Sequence, residues 1–248
     1  MFMAYHDQNC GYFMKNLSSS VKLPKNRIYE DKLDPWSSHS VIAELLSKFP
    51  AGTRILDIGT ASGTIGRICQ GKGFIMHGIE PMAEWANESQ TYYDEIVVCD
   101  LAHTKDEYLA SHHVVICADV LEHMADSEIQ LTRLVRLQFP GTLFILSLPN
   151  IANIWVRINL LLGKFDYSDR GILDRTHLRF FTRLTAIKMV NSSGLQIERV
   201  IPTPIPLNLI SPFFSTTIGK LLHSALARLT RAFPTLLGYQ FIMTAKYP

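Results

Sequence analysis

The chain has 248 residues, of which 47% are hydrophobic and 19% are charged, and its formal net charge is +2. This balance is typical of a globular protein with a sizeable core. We recognise neither a secretory signal nor an apolar run long enough to cross a membrane, so the sequence predicts a cytoplasmic protein.

The predicted elements begin with an alternation of short apolar runs and helical patterns. Residues 1–34 are polar and weakly periodic, and we interpret them as an N-terminal lead-in or lid. Strands are predicted at 53–59, 74–80, 95–100, 112–119 and 141–149. Helices are predicted at 35–49 with Ser37 or Ser38 as the N-cap, at 64–73, at 81–89 and at 126–139.

Beyond Pro149 the pattern becomes less regular. We predict helices at 151–165, 183–194 and 216–233, strands at 195–205 and 239–247, and an irregular segment at 166–182. Apolar strands that alternate with helices indicate a parallel sheet covered on both faces. The predicted fold is therefore α/β, a Rossmann-like, doubly wound, mostly parallel seven-stranded sheet. Residues 35–248 form one predicted domain, with insertions around 150–182 and 203–236.

The charges are unevenly distributed along the chain. Residues 1–150 carry 12 Lys/Arg and 18 Asp/Glu, whereas residues 151–248 carry 12 and 4. The basic C-terminal part favours an anionic partner such as a phosphate, a phospholipid surface or nucleic acid. A solvated basic face with no partner is an equally good interpretation.

Four cysteines are scattered through the sequence without a C-x-x-C pair: Cys10, Cys69, Cys99 and Cys117. Cys99 and Cys117 lie at or near the ends of apolar runs, where cysteine often serves as a small core residue. The sequence therefore predicts neither a disulfide framework nor a zinc site.

A glycine-rich turn between a strand and a helix, ILDIGTASGTIGR, occupies residues 55–67. Such a turn lets backbone N–H groups approach a ligand at a helix N-terminus. A dinucleotide-binding G-x-G-x-x-G turn needs glycine where Ala61 and Thr64 stand, and the Asp57 carboxylate would repel a pyrophosphate. The turn thus disfavours a nicotinamide-dependent oxidoreductase and suits an amine-bearing ligand.

The same stretch resembles motif I of the class I S-adenosylmethionine-dependent methyltransferases. Asp57, Gly59 and Gly63 match that motif, whereas Ala61 stands in place of the usual middle glycine and adds one methyl group. The resemblance implies that S-adenosylmethionine is the cofactor and that this turn, including Thr60, binds it.

Acids after the following strands match the same family. The resemblance assigns Glu80, followed by Pro81, to the two ribose hydroxyls, and a carboxylate can accept both hydrogen bonds. It assigns Asp100 and the backbone of Leu101 to the adenine ring. The segment 118–123, ADVLEH, matches the part of the family that faces the methionine moiety, through Ala118, Asp119 and Val120.

The acceptor is predicted to be a small molecule rather than a nucleic acid. The chain lacks the (Asp/Asn)-Pro-Pro-(Tyr/Phe) box of enzymes that methylate base amino groups, and it lacks a catalytic-cysteine motif for cytosine. Residues 147–182 look like a bacterial subgroup of small-molecule methyltransferases. Many of these occur with sugar- and polysaccharide-building enzymes, which implies O-methylation of a sugar or glycan-linked hydroxyl. A quinone-like or lipid acceptor is the alternative.

Histidine is the usual base near neutral pH, and O-methylation requires removal of the acceptor's hydroxyl proton. His123 and His177 are therefore the catalytic candidates, with a structural role as the alternative for each. His112 and His113, which precede a strand, are predicted to be surface residues. No metal site is indicated.

Two arginines in the irregular segment are candidates for binding a phosphate or carboxylate of the acceptor, Arg175 and Arg179. A structural interpretation pairs Arg175 with Asp166 or Asp174. Phe180 and Phe181 in the same segment are interpreted as core anchors.

The helix at 216–233 is amphipathic and basic. It is predicted to pack on its own domain or on a second subunit, as in a homodimer, in preference to lying on an anionic membrane. The competing hypothesis for the whole chain is a catalytically silent methyltransferase-like module that binds cofactor or partners, because the middle glycine is absent and no base is indisputable.

Overall fold

The computed structural model describes residues 10–14 and 34–248. The predicted lead-in or lid at 1–34 falls mostly outside the described residues. Within the described residues, eight strands form one sheet: β1 (Gly11–Met14), β2 (Arg54–Ile58), β3 (Ile75–Ile79), β4 (Glu95–Val98), β5 (Val114–Ala118), β6 (Leu143–Pro149), β7 (Gln196–Thr203) and β8 (Gln240–Lys246).

The strands follow the order β1-β4-β3-β2-β5-β6-β8-β7 across the sheet. The five strands from β4 to β6 in this order are mutually parallel. β8 runs antiparallel to both β6 and β7. This confirms the predicted Rossmann-like, mostly parallel fold, with all seven predicted strands present.

The additional strand, β1, was not predicted. It pairs antiparallel with β4 at the edge of the sheet. Cys10, just before β1, forms a disulfide with Cys99, just after β4, and their Cα atoms are 5.1 Å apart. The prediction of no disulfide is wrong, because sheet pairing brings together two cysteines that lie 89 residues apart in the chain.

Helices cover both faces of the sheet, and the seven helices that were predicted have bounds inside the predicted ranges. The helices are α1 (Ser38–Leu46), α2 (Thr64–Cys69), α3 (Ala83–Ser89), α4 (Asp106–Leu109), α5 (Ser127–Arg136), α6 (Ile154–Leu161), α7 (Arg183–Ser192), α8 (Leu207–Ile210), α9 (Thr217–Ala232) and α10 (Pro234–Leu237). The short helices α4, α8 and α10 were not predicted, because a single turn is too short to show a helical repeat. Among the described residues, no helix combines the length and the apolarity needed to span a membrane.

The central strands supply one apolar layer on each face of the sheet. On β2, Leu56 and Ile58 belong to one layer and Ile55 belongs to the other. Since successive side chains point to opposite faces, a strand buried on both sides is apolar along its whole length. Asp57 interrupts this run and is 2% exposed, so it is a buried acid in an otherwise apolar strand.

His112 lies in the core rather than on the surface, so that prediction is wrong. Its side chain is 0% exposed, and its Nε2 lies 2.8 Å from Nδ1 of His77 on β3. The side-chain oxygen of Gln138 accepts the backbone N–H of His112, and the side-chain nitrogen donates to the carbonyl oxygen of Leu109. Burial, reinforced by His77, lowers the pKa of His112 to about 3, so this histidine is a neutral structural residue.

The long helix α9 packs on its own domain, but it does so through its small and polar side chains. Gly219, His223, Ala227 and Thr230 are buried, and Nδ1 of His223 lies 3.0 Å from Oδ2 of Asp34. The outward face carries large apolar side chains, each at least half exposed: Ile218, Leu221, Leu222, Leu229 and Phe233. We call these five residues the apolar stripe of α9.

Candidate active site

The parallel strands β2, β3, β4 and β5 end side by side at one edge of the sheet. Each carries one of the predicted acids at or just beyond its end: Asp57, Glu80, Asp100 and Asp119. Ligands of open α/β sheets bind at this edge. The structure therefore brings together four acids that lie far apart in the sequence.

The turn after β2 is fixed to the end of β3. The backbone N–H groups of Gly59 and Thr60 both donate to the carbonyl oxygen of Ile79, at 2.8 and 3.1 Å. The hydroxyl of Thr60 lies 3.2 Å from that of Ser89. These contacts hold the turn in one conformation over the sheet edge.

Two positions of this turn require glycine. Gly59 has a φ of +74°, and a Cβ there would lie 2.6 Å from Cγ2 of Val120. Gly63 has a φ of +80°, precedes α2 as its N-cap, and a Cβ there would lie 2.7 Å from the Cβ of Ser89. Ala61, at the position of the usual middle glycine, also adopts a positive φ of 44°. The turn thus keeps the backbone path of a glycine turn despite the substitution.

Asp57 lies beneath the turn and is bound by Tyr93, a residue that the sequence did not single out. The Tyr93 hydroxyl donates to Oδ2 of Asp57 at 2.5 Å and accepts the N–H of Gly66 at 3.2 Å. Burial raises the pKa of Asp57 to about 7, against the lowering effect of the Tyr93 hydrogen bond, and Glu80 raises it further. In this structure Asp57 connects β2 to α2 through Tyr93, so we propose that it supports the turn from below.

Glu80 connects the turn to the start of α3. Its two oxygens accept the N–H of Ala61 at 2.8 Å and the N–H of Met82 at 3.0 Å. The residue is 3% exposed, and burial raises its pKa although both backbone hydrogen bonds oppose the shift. Each carboxylate oxygen has a second lone pair, which leaves capacity for the two ribose hydroxyls. Pro81, next to it, is exposed.

Asp100 is half exposed, beyond the end of β4. Its Oδ1 accepts the backbone N–H of His103 at 2.9 Å, and the His103 ring nitrogen Nδ1 lies 2.7 Å from the same oxygen. Leu101 turns its side chain into the core, where it is 4% exposed. A contact of Asp100 and Leu101 with adenine stays a prediction.

The segment after β5 adopts an unusual backbone conformation. Asp119 has a φ of +58°, and its Oδ1 accepts hydrogen bonds from the hydroxyl of Ser147 at 2.7 Å and the amide of Gln240 at 2.6 Å. Ser147 and Gln240 were not predicted, since they come from β6 and β8. Ala118 and Val120 on either side are partly buried, and Val120 packs over Gly59.

His123 and His177, the two catalytic candidates, lie next to each other. Their ring centroids are 4.7 Å apart, and the rings are nearly perpendicular. Nδ1 of His177 lies 3.1 Å from the carbonyl oxygen of Ile172, which can only accept, so Nδ1 carries the proton. Burial, and then His123, lowers the pKa of His177, and the neutral ring presents an unprotonated Nε2.

His123 is held in the same tautomer. Its Nδ1 lies 3.0 Å from the hydroxyl oxygen of Thr176, and that hydroxyl donates to Oδ1 of Asp174 at 2.6 Å. Because the Thr176 proton is directed at Asp174, the Thr176 oxygen accepts the proton of His123. Both histidines therefore keep Nε2 as the nitrogen with a lone pair.

The two arginine candidates make contacts within the irregular segment and its neighbours. Arg175 pairs with Asp169 at 2.8 Å, which replaces both predicted partners. The guanidinium of Arg179 donates from Nε and Nη2 to the carbonyl oxygen of Ala125, at 2.9 and 2.5 Å. Arg179 thus fixes the irregular segment to the loop after β5, and an acceptor contact for either arginine stays a prediction.

Comparison with known proteins gives the family. A family model described as "Methyltransferase domain" matches residues 34–200, which is more than half of the chain. Among curated proteins, none matches this sequence.

Solved structures share the fold at low sequence identity. Magnesium protoporphyrin IX methyltransferase from Synechocystis PCC 6803, with bound SAH, is 16% identical with a TM-score of 0.55, and the match covers 86% of this chain and 83% of that one. A SAM-dependent methyltransferase from Archaeoglobus fulgidus is 17% identical with a TM-score of 0.53, over 84% and 94%. Phosphoethanolamine N-methyltransferase 2 from Haemonchus contortus is 13% identical with a TM-score of 0.54, over 86% and 53%.

The matched range includes the glycine turn and the four strand-end acids. The chain belongs to the methyltransferase-domain family and is an S-adenosylmethionine-dependent methyltransferase.

Proposed function

We propose that this methyltransferase transfers the methyl group to a hydroxyl oxygen of a small-molecule acceptor, a sugar or glycan-linked hydroxyl in the first place. The observation that carries the proposal is the pair of adjacent imidazoles, His123 and His177, each of which donates from Nδ1 and keeps Nε2 as its accepting nitrogen. His123 follows β5, next to the segment assigned to the methionine part of the cofactor, and His177 joins it from the irregular segment. A pair of proton acceptors suits a hydroxyl acceptor, which must lose its proton.

The residues at the sheet edge fit the cofactor. The turn at 59–63 gives close backbone approach, Glu80 offers lone pairs for two hydroxyls, Asp100 stands at the adenine end, and 118–120 border the methionine end. When bound, S-adenosylmethionine supplies a methyl group that its sulfonium already activates. The protein then has to align the acceptor with that methyl group.

The histidines complete the reaction on the acceptor side. As the acceptor oxygen bonds to the methyl carbon, the carbon–sulfur bond breaks and the hydroxyl proton passes to Nε2 of an imidazole. The Nδ1 hydrogen bonds to Ile172 and Thr176 keep both rings in the tautomer that can receive it.

A row of aromatic rings leads from the histidines to the surface. His177 and Phe180 have centroids 6.2 Å apart, Phe180 and Phe165 are 6.0 Å apart, and Phe165 and Tyr167 are 5.6 Å apart. Tyr167 is 53% exposed and Phe165 is 39% exposed. Aromatic faces bind ring-shaped ligands with little loss of side-chain entropy, so this row supports an acceptor that contains a ring, such as a sugar.

The experiment that tests the proposal is an acceptor screen. Purified protein and S-adenosylmethionine are incubated with nucleotide sugars and glycans, and then with quinones and lipids, and mass spectrometry detects a gain of one methyl group. An O-methylated sugar confirms the proposal. Methylation of nitrogen only, or of quinones or lipids only, contradicts it, and cofactor binding without any turnover favours the silent module.

Replacing Glu80 with alanine is expected to weaken binding of S-adenosylmethionine at least tenfold, or about 1.4 kcal/mol. The change removes the lone pairs offered to the ribose and releases the N–H groups of Ala61 and Met82. Calorimetry measures the affinity. Glu84→Ala, an exposed acid on α3, is the matched control and is expected to bind normally. Equal affinity of both variants would remove Glu80 from the cofactor site.

One observation favours a second candidate function, methylation of a lipid or lipid-linked acceptor at a membrane surface. The apolar stripe of α9 faces outward, and residues 199–248 contain five Lys/Arg and no Asp/Glu. A helix with an exposed apolar face and basic flanks binds anionic membranes. We propose such a surface as the occupant of the stripe.

The membrane interpretation predicts that the protein sediments with phosphatidylglycerol vesicles at low salt and not with phosphatidylcholine vesicles. The double variant Leu221→Ser/Leu222→Ser is expected to stay in the supernatant. Ile129→Ser on α5, which removes another exposed apolar side chain, is the control. If vesicles bind neither protein and light scattering shows a dimer that only Leu221→Ser/Leu222→Ser disrupts, the stripe is a subunit interface instead.

A further inference from the structure

Three metal-ligating side chains meet at the loop after β5. Glu122, His123 and His177 each present one donor atom, and these atoms all lie within 4.8 Å of one another. Glu122 and His123 are neighbours in a short turn, Leu121–His123, whereas His177 comes from the irregular segment. The sequence indicated no metal site here, because His177 lies far along the chain from the other two.

The two histidines are oriented as metal ligands usually are. A ligating imidazole generally donates its second N–H to a carbonyl, carboxylate or similar acceptor, which fixes the ring and its tautomer. His177 does so through the carbonyl of Ile172, and His123 does so through Thr176 and, beyond it, Asp174. Both rings therefore keep Nε2 as the nitrogen that can bind a metal ion, while Nδ1 is held by its hydrogen bond.

The third group is the carboxylate of Glu122, which is 0% exposed. Its backbone carbonyl accepts the N–H groups of Leu178 and Arg179, at 2.8 and 2.9 Å. These bonds hold the turn and the irregular segment together, so the carboxylate and the His177 ring stay close. A divalent cation would gain from a negative charge in so enclosed a place.

We propose that Glu122, His123 and His177 form a binding site for a divalent transition-metal ion such as Zn²⁺. Two imidazoles and one carboxylate are a ligand set of catalytic zinc sites, and imidazole favours transition metals over Mg²⁺ and Ca²⁺. Ligand atoms bound at about 2.0–2.2 Å to one ion are roughly 3.3 Å apart in tetrahedral geometry. Side-chain rotations that move the ligand atoms by about an ångström bring them from the arrangement seen here to these distances.

The inference rests on the proposed function and refines one step of it. Three protein ligands leave a coordination position open, and the acceptor hydroxyl oxygen fits it. The ion lowers the pKa of a bound hydroxyl, so the proton leaves to solvent water before the oxygen bonds to the methyl carbon. The histidines then act on the acceptor through the ion rather than as bases.

Titration of chelator-treated protein with Co²⁺, followed by visible absorption and by competition with Zn²⁺, tests the site. We expect one Co²⁺ per chain, and we expect Glu122→Gln and His177→Ala to weaken the binding at least tenfold. His113→Ala, which removes an exposed histidine elsewhere, is expected to bind Co²⁺ as the unmodified protein does. Glu122→Gln keeps the side chain's shape, so the test does not depend on a cavity-forming change.

Calorimetry with S-adenosylhomocysteine on the same samples separates the two proposals. Normal cofactor binding by all variants, with Co²⁺ binding lost in Glu122→Gln and His177→Ala alone, supports the metal site. Normal cofactor binding with no Co²⁺ binding by the unmodified protein, or with equal Co²⁺ binding by Glu122→Gln, overturns it while leaving the methyltransferase proposal intact. The proposed function itself fails only if the acceptor screen yields no O-methylated product.

Discussion

Replacing His177 with alanine is expected to lower turnover about 100-fold while leaving the affinity for S-adenosylhomocysteine unchanged. The imidazole lies against His123 on the acceptor side, and its Nε2 is held free of protons by the Nδ1 hydrogen bond to Ile172. None of its hydrogen bonds reaches the turn at 59–63. Its loss should therefore affect the acceptor's proton and spare the cofactor.

The measurement is steady-state turnover with the acceptor found in the screen, together with calorimetry for the cofactor. His113→Ala is the control for loss of a histidine, and it should keep full activity. Turnover of His177→Ala equal to that of the unmodified protein would make His177 a structural residue. A matching loss of cofactor affinity would mean that the change disturbs the sheet edge as a whole.

Glu122→Gln tells whether His177 acts alone or through an ion. A direct proton acceptor at His177 needs no carboxylate at position 122, so turnover should survive that change. A metal ion needs all three ligands, so Glu122→Gln and His177→Ala should lose turnover together, and a chelator should reproduce the loss in the unmodified protein. Both mechanisms use the same pair of imidazoles, but only the metal-ion mechanism also needs the Glu122 carboxylate.

Local patterns in the sequence were enough to predict the strands and the glycine turn. The apolar strands are buried on both faces and therefore read as continuous runs, and the glycines at 59 and 63 mark a turn whose backbone no other residue fits well. Glu80 was located because it follows a strand. Such features depend on a few consecutive residues, and the sequence displays them directly.

Contacts between distant segments could not be predicted from local sequence patterns. Tyr93 lies just before β4 and reaches Asp57 on β2 across β3, and nothing in its own sequence neighbourhood marks it. His112 looked like a surface residue before a strand, yet it pairs with His77 in the core. The disulfide between Cys10 and Cys99 depends on an edge strand of four residues, too short for a period to be recognised.

The orientation of α9 shows the limit of amphipathic patterns. The period of its leucines predicts a helix with one apolar face, and the helix is present. The pattern does not say which face meets the domain, and here Gly219 and Ala227 allow close packing while the leucines face outward. Only the tertiary structure shows which face of the helix is buried and which is exposed.

Replacing Asp57 with asparagine is expected to remove a pH-dependent part of the protein's stability. The pKa of Asp57 is raised from 3.8 to about 7, chiefly by burial, so the folded protein binds this proton more tightly than the unfolded chain does. A carboxyl group shifted in this direction stabilises the fold fully below its unfolded pKa, near pH 4. That contribution is lost as the pH rises through 7.

The difference in unfolding free energy between the unmodified protein and Asp57→Asn should therefore fall between pH 4 and 8, by on the order of 3 kcal/mol. Urea unfolding at each pH measures it, and subtraction cancels the groups present in both proteins that do not interact with the Asp57 charge. Glu80 and Tyr93 do interact with that charge, so the difference includes this coupling. Asparagine keeps an oxygen for the Tyr93 hydroxyl, so the variant retains the connection to α2. Parallel curves of unfolding free energy against pH for the two proteins would contradict the raised pKa. They would show that Asp57 is ionised in the folded protein at all these pH values, because Tyr93 and the turn above it stabilise the charge against the effect of burial.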